Sequence, residues 1–193
     1  MNSNSIFFET KQCFIDKENI RSKSYNCYQI FNDQRENIGL IKQRITKVEK
    51  ILRAVVKKSI LPFRLEIRSS NGTLEAILSR GWFFFNAAII IRDRRGNKMG
   101  SIRQNFDFFK SNYTILNASD EIIAAISRNC KEWDFVIIDA SQNQIGSLDR
   151  KQYGFMKEML ISGNKTNLNI ENNNSNREDK MAILLSAITF CLL

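Results

Sequence analysis

The sequence contains no histidine, which removes the side chain most often used to move protons near neutral pH. It has no Gly-x-Ser-x-Gly elbow, no phosphate-cradling glycine loop and no dinucleotide fingerprint. Asp93 and Asp139 each follow an apolar run, a setting in which a carboxylate usually caps its own backbone rather than acting as acid or base. Cys13, Cys27, Cys130 and Cys191 are far apart, with no Cys-x-x-Cys pair, so neither a zinc site nor a dense disulfide framework is expected. No catalytic residue, metal ligand, cofactor or small-molecule substrate is predicted, and the chain is expected not to be an enzyme.

Binding chemistry is better represented. With 29 Lys and Arg against 20 Asp and Glu the formal net charge is +9, which attracts polyanions: lipid headgroups, nucleic-acid backbones or acidic proteins. The densest stretch is residues 42–58, where Lys42, Arg44, Lys47, Lys50, Arg53, Lys57 and Lys58 face one acid, Glu49. Ile45, Val48, Ile51, Leu52, Val55 and Val56 recur between them at three- and four-residue intervals, so the stretch reads as a basic amphipathic helix. Such a helix can lie on an anionic membrane, or pack its apolar stripe on the protein and leave its ammonium heads in water. Trp82, Phe83 and Phe84, followed by Phe85, form an aromatic run that suits either an interfacial anchor or a strand packed inward. Phe106-Asp107-Phe108-Phe109 is a second such run. A basic ribonucleoprotein-type motif is absent, so nucleic-acid binding rests on charge alone.

The elements that must hold these groups follow from an internal repeat. Apolar runs end at Asn32, Ser69, Asp93, Asn117 and Asp139. Seven residues beyond each stands Gly39, Ala76, Gly100, Ala124 or Gly146, and nine beyond stands Ile41, Leu78, Ile102, Ile126 or Leu148. The intervening residues are rich in Asn, Asp, Ser and Gly, which cap their own backbone or tolerate positive φ, so each unit reads as a β-hairpin. A small residue lets a neighbouring element come close, and the aliphatic two places later points to the same face and fills volume. About ten strands are expected from these units, with a further pair around residues 7–15. Closure into one antiparallel barrel of about twelve strands removes the exposed edges; a two-layer sandwich is the alternative. One domain over residues 1–193 is expected.

Residues 181–193 carry no charge, and Asn176, Arg177, Glu178 and Asp179 precede them as cap and first-turn residues. A helix apolar on every face has to be buried. At about 1.5 Å per residue it is too short for a bilayer, so it is predicted to fill the barrel. No secretory leader pattern is visible. With unpaired cysteines, this points to a cytoplasmic protein peripheral to membranes.

The stretch Pro62-Phe63-Arg64-Leu65-Glu66-Ile67, the run from Ile102 to Phe109, Trp133-Asp134-Phe135, Ile145-Gly146 and the closing apolar helix resemble phospholipid-scramblase-related and LURP-one-related proteins of the tubby C-terminal-like fold. The resemblance implies a mostly β, twelve-stranded antiparallel barrel around a central apolar C-terminal helix. It also implies a membrane-associated protein that binds anionic phospholipid. A Pro-rich arm and a run of acylated cysteines are missing. Residues 167–179 lack the alternating Asp and central Gly of an oxygen-rich calcium loop, so no calcium dependence is carried over. A helix that fills the barrel leaves no polar path across about 30 Å of hydrocarbon, so literal movement of lipid between leaflets is not expected to follow from the family label. The alternative is a soluble tubby-like regulatory protein whose basic face meets nucleic acid.

Overall fold

The computed structural model describes residues 10, 12–18, 25–44, 61–82, 88–107, 110–128, 135–149, 166–170 and 176–192. Their alternation of apolar and polar residues yields twelve strands: β1 (Gln12–Glu18), β2 (Tyr25–Asn32), β3 (Asn37–Arg44), β4 (Phe63–Ser69), β5 (Leu74–Arg80), β6 (Ile89–Asp93), β7 (Lys98–Asp107), β8 (Lys110–Asn117), β9 (Ile122–Arg128), β10 (Phe135–Asp139), β11 (Gln144–Asp149) and β12 (Thr166–Ile170). Each pairs antiparallel with its neighbours in sequence, and β12 pairs with β1, so the sheet closes into a barrel. The sandwich alternative is thereby removed. Residues 1–9, part of the anticipated extra hairpin, lie outside the described residues. Among the described ones the first strand begins at Gln12, and the twelfth strand comes from Thr166–Ile170 instead.

The five repeat units are five copies of one turn. In each, the anchor's backbone N–H donates to the carbonyl four residues on, and the N–H three residues on donates back to the anchor's carbonyl. The residue three past the anchor has positive φ every time: Arg35 at 63°, Gly72 at 84°, Gly96 at 91°, Asp120 at 65° and Gln142 at 66°. This is a three-residue loop ending in a left-handed residue that makes a bulge, and the pairing shifts register just before all five anchors. Anchor side chains complete the turn. Asn117 Oδ1 accepts from the N–H groups of Ser119 and Glu121, Asp93 Oδ1 from Arg95 and Asn97, and Asp139 Oδ1 from Ser141 and Asn143.

Inside the barrel the same units pair large with small. Ile30, Ile67, Ile91, Ile115 and Ile137, two residues before each anchor, are wholly buried and stand opposite Gly39, Ala76, Gly100, Ala124 and Gly146. The small residues leave room for what passes inside. A Cβ added to Gly100 would lie 2.5 Å from the Leu116 carbonyl oxygen and 3.1 Å from Ala182 Cβ.

Ala182 belongs to the helix α1 (Arg177–Leu192), which packs chiefly against β7, β8, β9 and β12. It starts four residues earlier than the apolar run suggests, because Asn176 caps it by accepting from the Asp179 N–H at 2.8 Å. Residues 182–189 are buried without a break, as a helix with no polar face requires. Its two buried hydroxyls need nothing from the barrel, since Ser186 donates to the Ala182 carbonyl and Thr189 to that of Leu185.

The helix also orients the barrel. Ala182 packs against Gly100, which pairs with the turn anchor Asn117, so the N-terminus of α1 lies at the rim of the five repeat turns, where burial, then the charges of Glu178 and of Glu121 in the β8–β9 turn, raise the Asp179 carboxyl. At the other end Phe190 sits edge-on to Tyr113 and to Phe135, with ring centroids 4.5 and 4.6 Å apart.

Candidate functional site

That second rim holds the ends of β3 and β5, where the described members of the expected binding set, Lys42, Arg44 and Trp82, are found. The five repeat turns all lie at one end, so the connections from β3 to β4, from β5 to β6 and from β7 to β8 cross the other. The strand β3 runs through Lys42 to Arg44, which corrects the helical reading of those two residues. Their strand conformation is fixed by pairing with β2, Cys27 opposite Lys42 and Tyr25 opposite Arg44, and the three- and four-residue spacing of apolar residues begins only at Ile45. Lys47, Lys50, Arg53, Lys57 and Lys58 fall in the segment that leaves β3, and they, with Phe83 and Phe84, lie outside the described residues.

Trp82 follows the end of β5 and is 46% exposed, one of few large apolar side chains so placed. Only β4 separates β3 from β5, and the register sets Arg44 abreast of Ser79, two strand spacings or about 10 Å away and three residues before Trp82. The return of that segment is pinned. Arg80 donates to the Leu61 carbonyl at 3.1 Å, and its guanidinium lies over the Phe63 ring, 4.9 Å from the centroid. Burial lowers the Arg80 pKa, against the opposing influence of Tyr113; burial likewise raises Tyr113, against Arg80.

Lys42 stands opposite Glu66 in the β3–β4 register. The Glu66 carboxylate is already held by Arg68 at 2.9 Å and approached by Arg64 at 3.8 Å. The outer face of β4 is therefore basic as well, and it was not singled out in the sequence. The signal was Arg64-x-Glu66-x-Arg68, an alternation that puts all three side chains on the outside.

No histidine, cysteine or carboxylate cluster of three or more that could hold a metal is present among the described residues. Of the cysteines, Cys13 and Cys27 are buried free thiols, and burial pushes Cys13 up to about 12, which leaves it protonated and unreactive. Among the described residues this rim holds the end of β3, with Lys42 and Arg44, and the exposed Trp82 beyond β5. The family model described as Scramblase matches residues 20–189. The chain belongs to the scramblase family. No curated protein and no solved structure gives a significant match. The scramblase-family match runs over β2 to β12 and most of α1, leaving β1 before it. No described helix is long and apolar enough to cross a membrane.

Proposed function

We propose that this scramblase-family barrel is a peripheral protein of the cytoplasmic membrane face that binds anionic phospholipid through the rim carrying residues 42–58 and Trp82. The observation that carries the reading is the juxtaposition of the exposed Trp82 with the strand end from which the basic segment leaves. An indole prefers the headgroup region, and each basic residue close to an anionic surface contributes about 1 kcal/mol. The two work together, since charge brings the rim to the surface and the indole holds it there when salt screens the charge.

A barrel filled by α1 supports lipid binding better than lipid conduction, because the interior is occupied by Ile183, Leu185 and Ile188, each no more than 2% exposed, and offers no wet path. Replacing Lys47, Lys50, Lys57 and Lys58 together by Gln is expected to weaken co-sedimentation with phosphatidylserine-rich vesicles by up to about 4 kcal/mol at low salt while leaving the melting transition in place. Undiminished binding by that variant refutes the proposed rim. Stronger retention of single-stranded DNA than of vesicles at matched salt favours the nucleic-acid alternative.

A further inference from the structure

The five hairpin turns share one backbone, so whatever differs between them is not required by the turn. Their first two loop residues are Asp33-Gln34, Ser70-Asn71, Arg94-Arg95, Ala118-Ser119 and Ala140-Ser141. All ten are exposed, and uncharged or acidic pairs serve four of the five. Only the β6–β7 turn places two cations there.

Those cations are also uncommitted, as is the single exposed Arg35 at the third position of the 32–36 turn. Arg68 is held by Glu66, and Lys98 and Arg103 share Asp120 at 2.7 and 3.3 Å, whereas the guanidinium groups of Arg94 and Arg95 have no partner among the described residues. The acid between the strands does not neutralise them, because Asp93 turns inward: Oδ1 accepts from the backbone of Arg95 and Asn97, and Oδ2 from the Asn97 side chain. Arg92, exposed on the outer face of β6 and reaching Ser79 at 3.5 Å, extends the positive charge down the wall.

This turn lies at the end of the barrel opposite Arg44 and Trp82. The seven residues of β5 that separate the two rims span about 20 Å, roughly twice the distance over which salt screens charge. The two groups of cations are therefore screened from one another, and a flat surface laid across either end of the barrel meets only one of them. We propose that the Arg94-Arg95 turn is a second contact for anionic phospholipid, so that one chain bridges two membrane surfaces. The inference rests on the lipid-binding reading of the first rim.

A pull-down between two vesicle populations tests it. Dense, sucrose-loaded phosphatidylserine-rich vesicles are mixed with light, labelled vesicles of the same composition, and the label in the pellet is measured. Wild type is expected to sediment with dense vesicles and to carry light ones with it. Arg94→Gln/Arg95→Gln is expected to sediment with dense vesicles still, yet carry down light vesicles on the order of ten-fold less. Transfer of label by this variant at the wild-type level overturns the inference, including the case in which a dimer supplies both contacts. A wild type that sediments without transferring label overturns bridging and leaves the lipid-binding rim standing. A wild type that sediments with no vesicles refutes the first rim and the bridge together. Loss in the variant of single-stranded oligonucleotide binding, with vesicle transfer intact, reassigns the turn to nucleic acid and overturns the lipid assignment.

Discussion

The two rims of this barrel are built on opposite plans. At the hairpin-turn rim one device is used five times, with the same two backbone hydrogen bonds and the same left-handed third residue. At the other rim the connections differ in length and content: residues 45–62 join β3 to β4, residues 81–88 join β5 to β6, and only residues 108–109 join β7 to β8. The repeated rim sets the register and the taper of the barrel. The unrepeated rim is free to carry sequence the fold does not need, and there the basic stretch and Trp82 occur. Departures from the repeat therefore point to function, and Arg94-Arg95 is a departure inside the repeated rim itself.

The largest test of this division removes residues 177–193. Burial of Ile183, Leu184, Leu185 and Ile188 is worth about 6–12 kcal/mol, comparable with the whole stability of a domain. The truncated chain is expected to be insoluble or molten; a sharp, dispersed NMR spectrum from it would place the helix outside the core.

Gly100→Leu comes next, at about 3 kcal/mol or more, because even a Cβ there meets the Leu116 carbonyl at 2.5 Å. Gly146→Leu should follow it, with Asn169 O at 2.6 Å. Gly96 is the contrasting position: it has φ 91° and open space around it, and Arg35, Asp120 and Gln142 occupy the equivalent place without glycine. Gly96→Asn is expected to cost about 1 kcal/mol or less. Equal denaturation midpoints for Gly100→Leu and Gly96→Asn would contradict the packed interior.

A smaller effect is expected from Asn32→Ala. It removes an acceptor for the Glu36 N–H at 2.8 Å and a donor to the Glu36 carboxylate at a buried anchor, costing on the order of 1 kcal/mol. A melt unchanged by this substitution would show that the backbone alone sets the turn.

The smallest effect separates the turns by pH. Slight burial acts to raise Asp93, but hydrogen bonds from the Asn97 side chain and from the backbone of Asn97, Arg95 and Gly96 outweigh it, so its pKa lies below the ordinary carboxylate value. Asp139 is lowered chiefly by the Asn143 N–H. A lowered folded pKa gives stability that is present above the unfolded value of about 3.9 and lost as pH falls through the folded one. Turns 93–97 and 139–143 should thus lose hydrogen-exchange protection in acid. Turn 32–36, whose backbone donor meets an Asn oxygen that does not titrate, should keep more of it, whereas turn 117–121, with an Asn anchor but with Asp120 lowered by Lys98, should fall between. Equal loosening of turns 32–36, 93–97 and 139–143 would mean that the anchor's chemistry is immaterial.

Much of this was legible because the repeat is written in residue types with steric consequences. The anchors, the small residues seven beyond and the aliphatics nine beyond fall where the structure has turns, close approaches and core. The isoleucine two before every anchor was equally visible and completes the large-on-small pairing. The strand β12 was hidden, since two of the five residues of Thr166–Ile170 are asparagine, a poor strand former, and it becomes a strand because β1 and β11 flank it. Lys42 and Arg44 were misread because local spacing was extended back across a strand whose conformation is dictated by β2. The candidate rim itself was legible as composition, but only the order of the strands brings the ends of β3 and β5, and with them Arg44 and Trp82, to the same rim.

The seam between β1 and β12 has a consequence for how the chain comes to be folded. A meander can zip hairpin by hairpin as it leaves the ribosome, yet its first strand waits for its twelfth, and the helix that occupies the middle follows the twelfth. Until then the nascent sheet is a curled ribbon with two unpaired edges and an uncovered apolar face, the state most open to aggregation. Local hairpins form early, and the slow step is a single long-range closure around a late-arriving core. Substitutions at Cys13, Ile15 or Leu168, the buried residues of that seam, thus bear first on yield and folding rate, and only afterwards on the finished molecule.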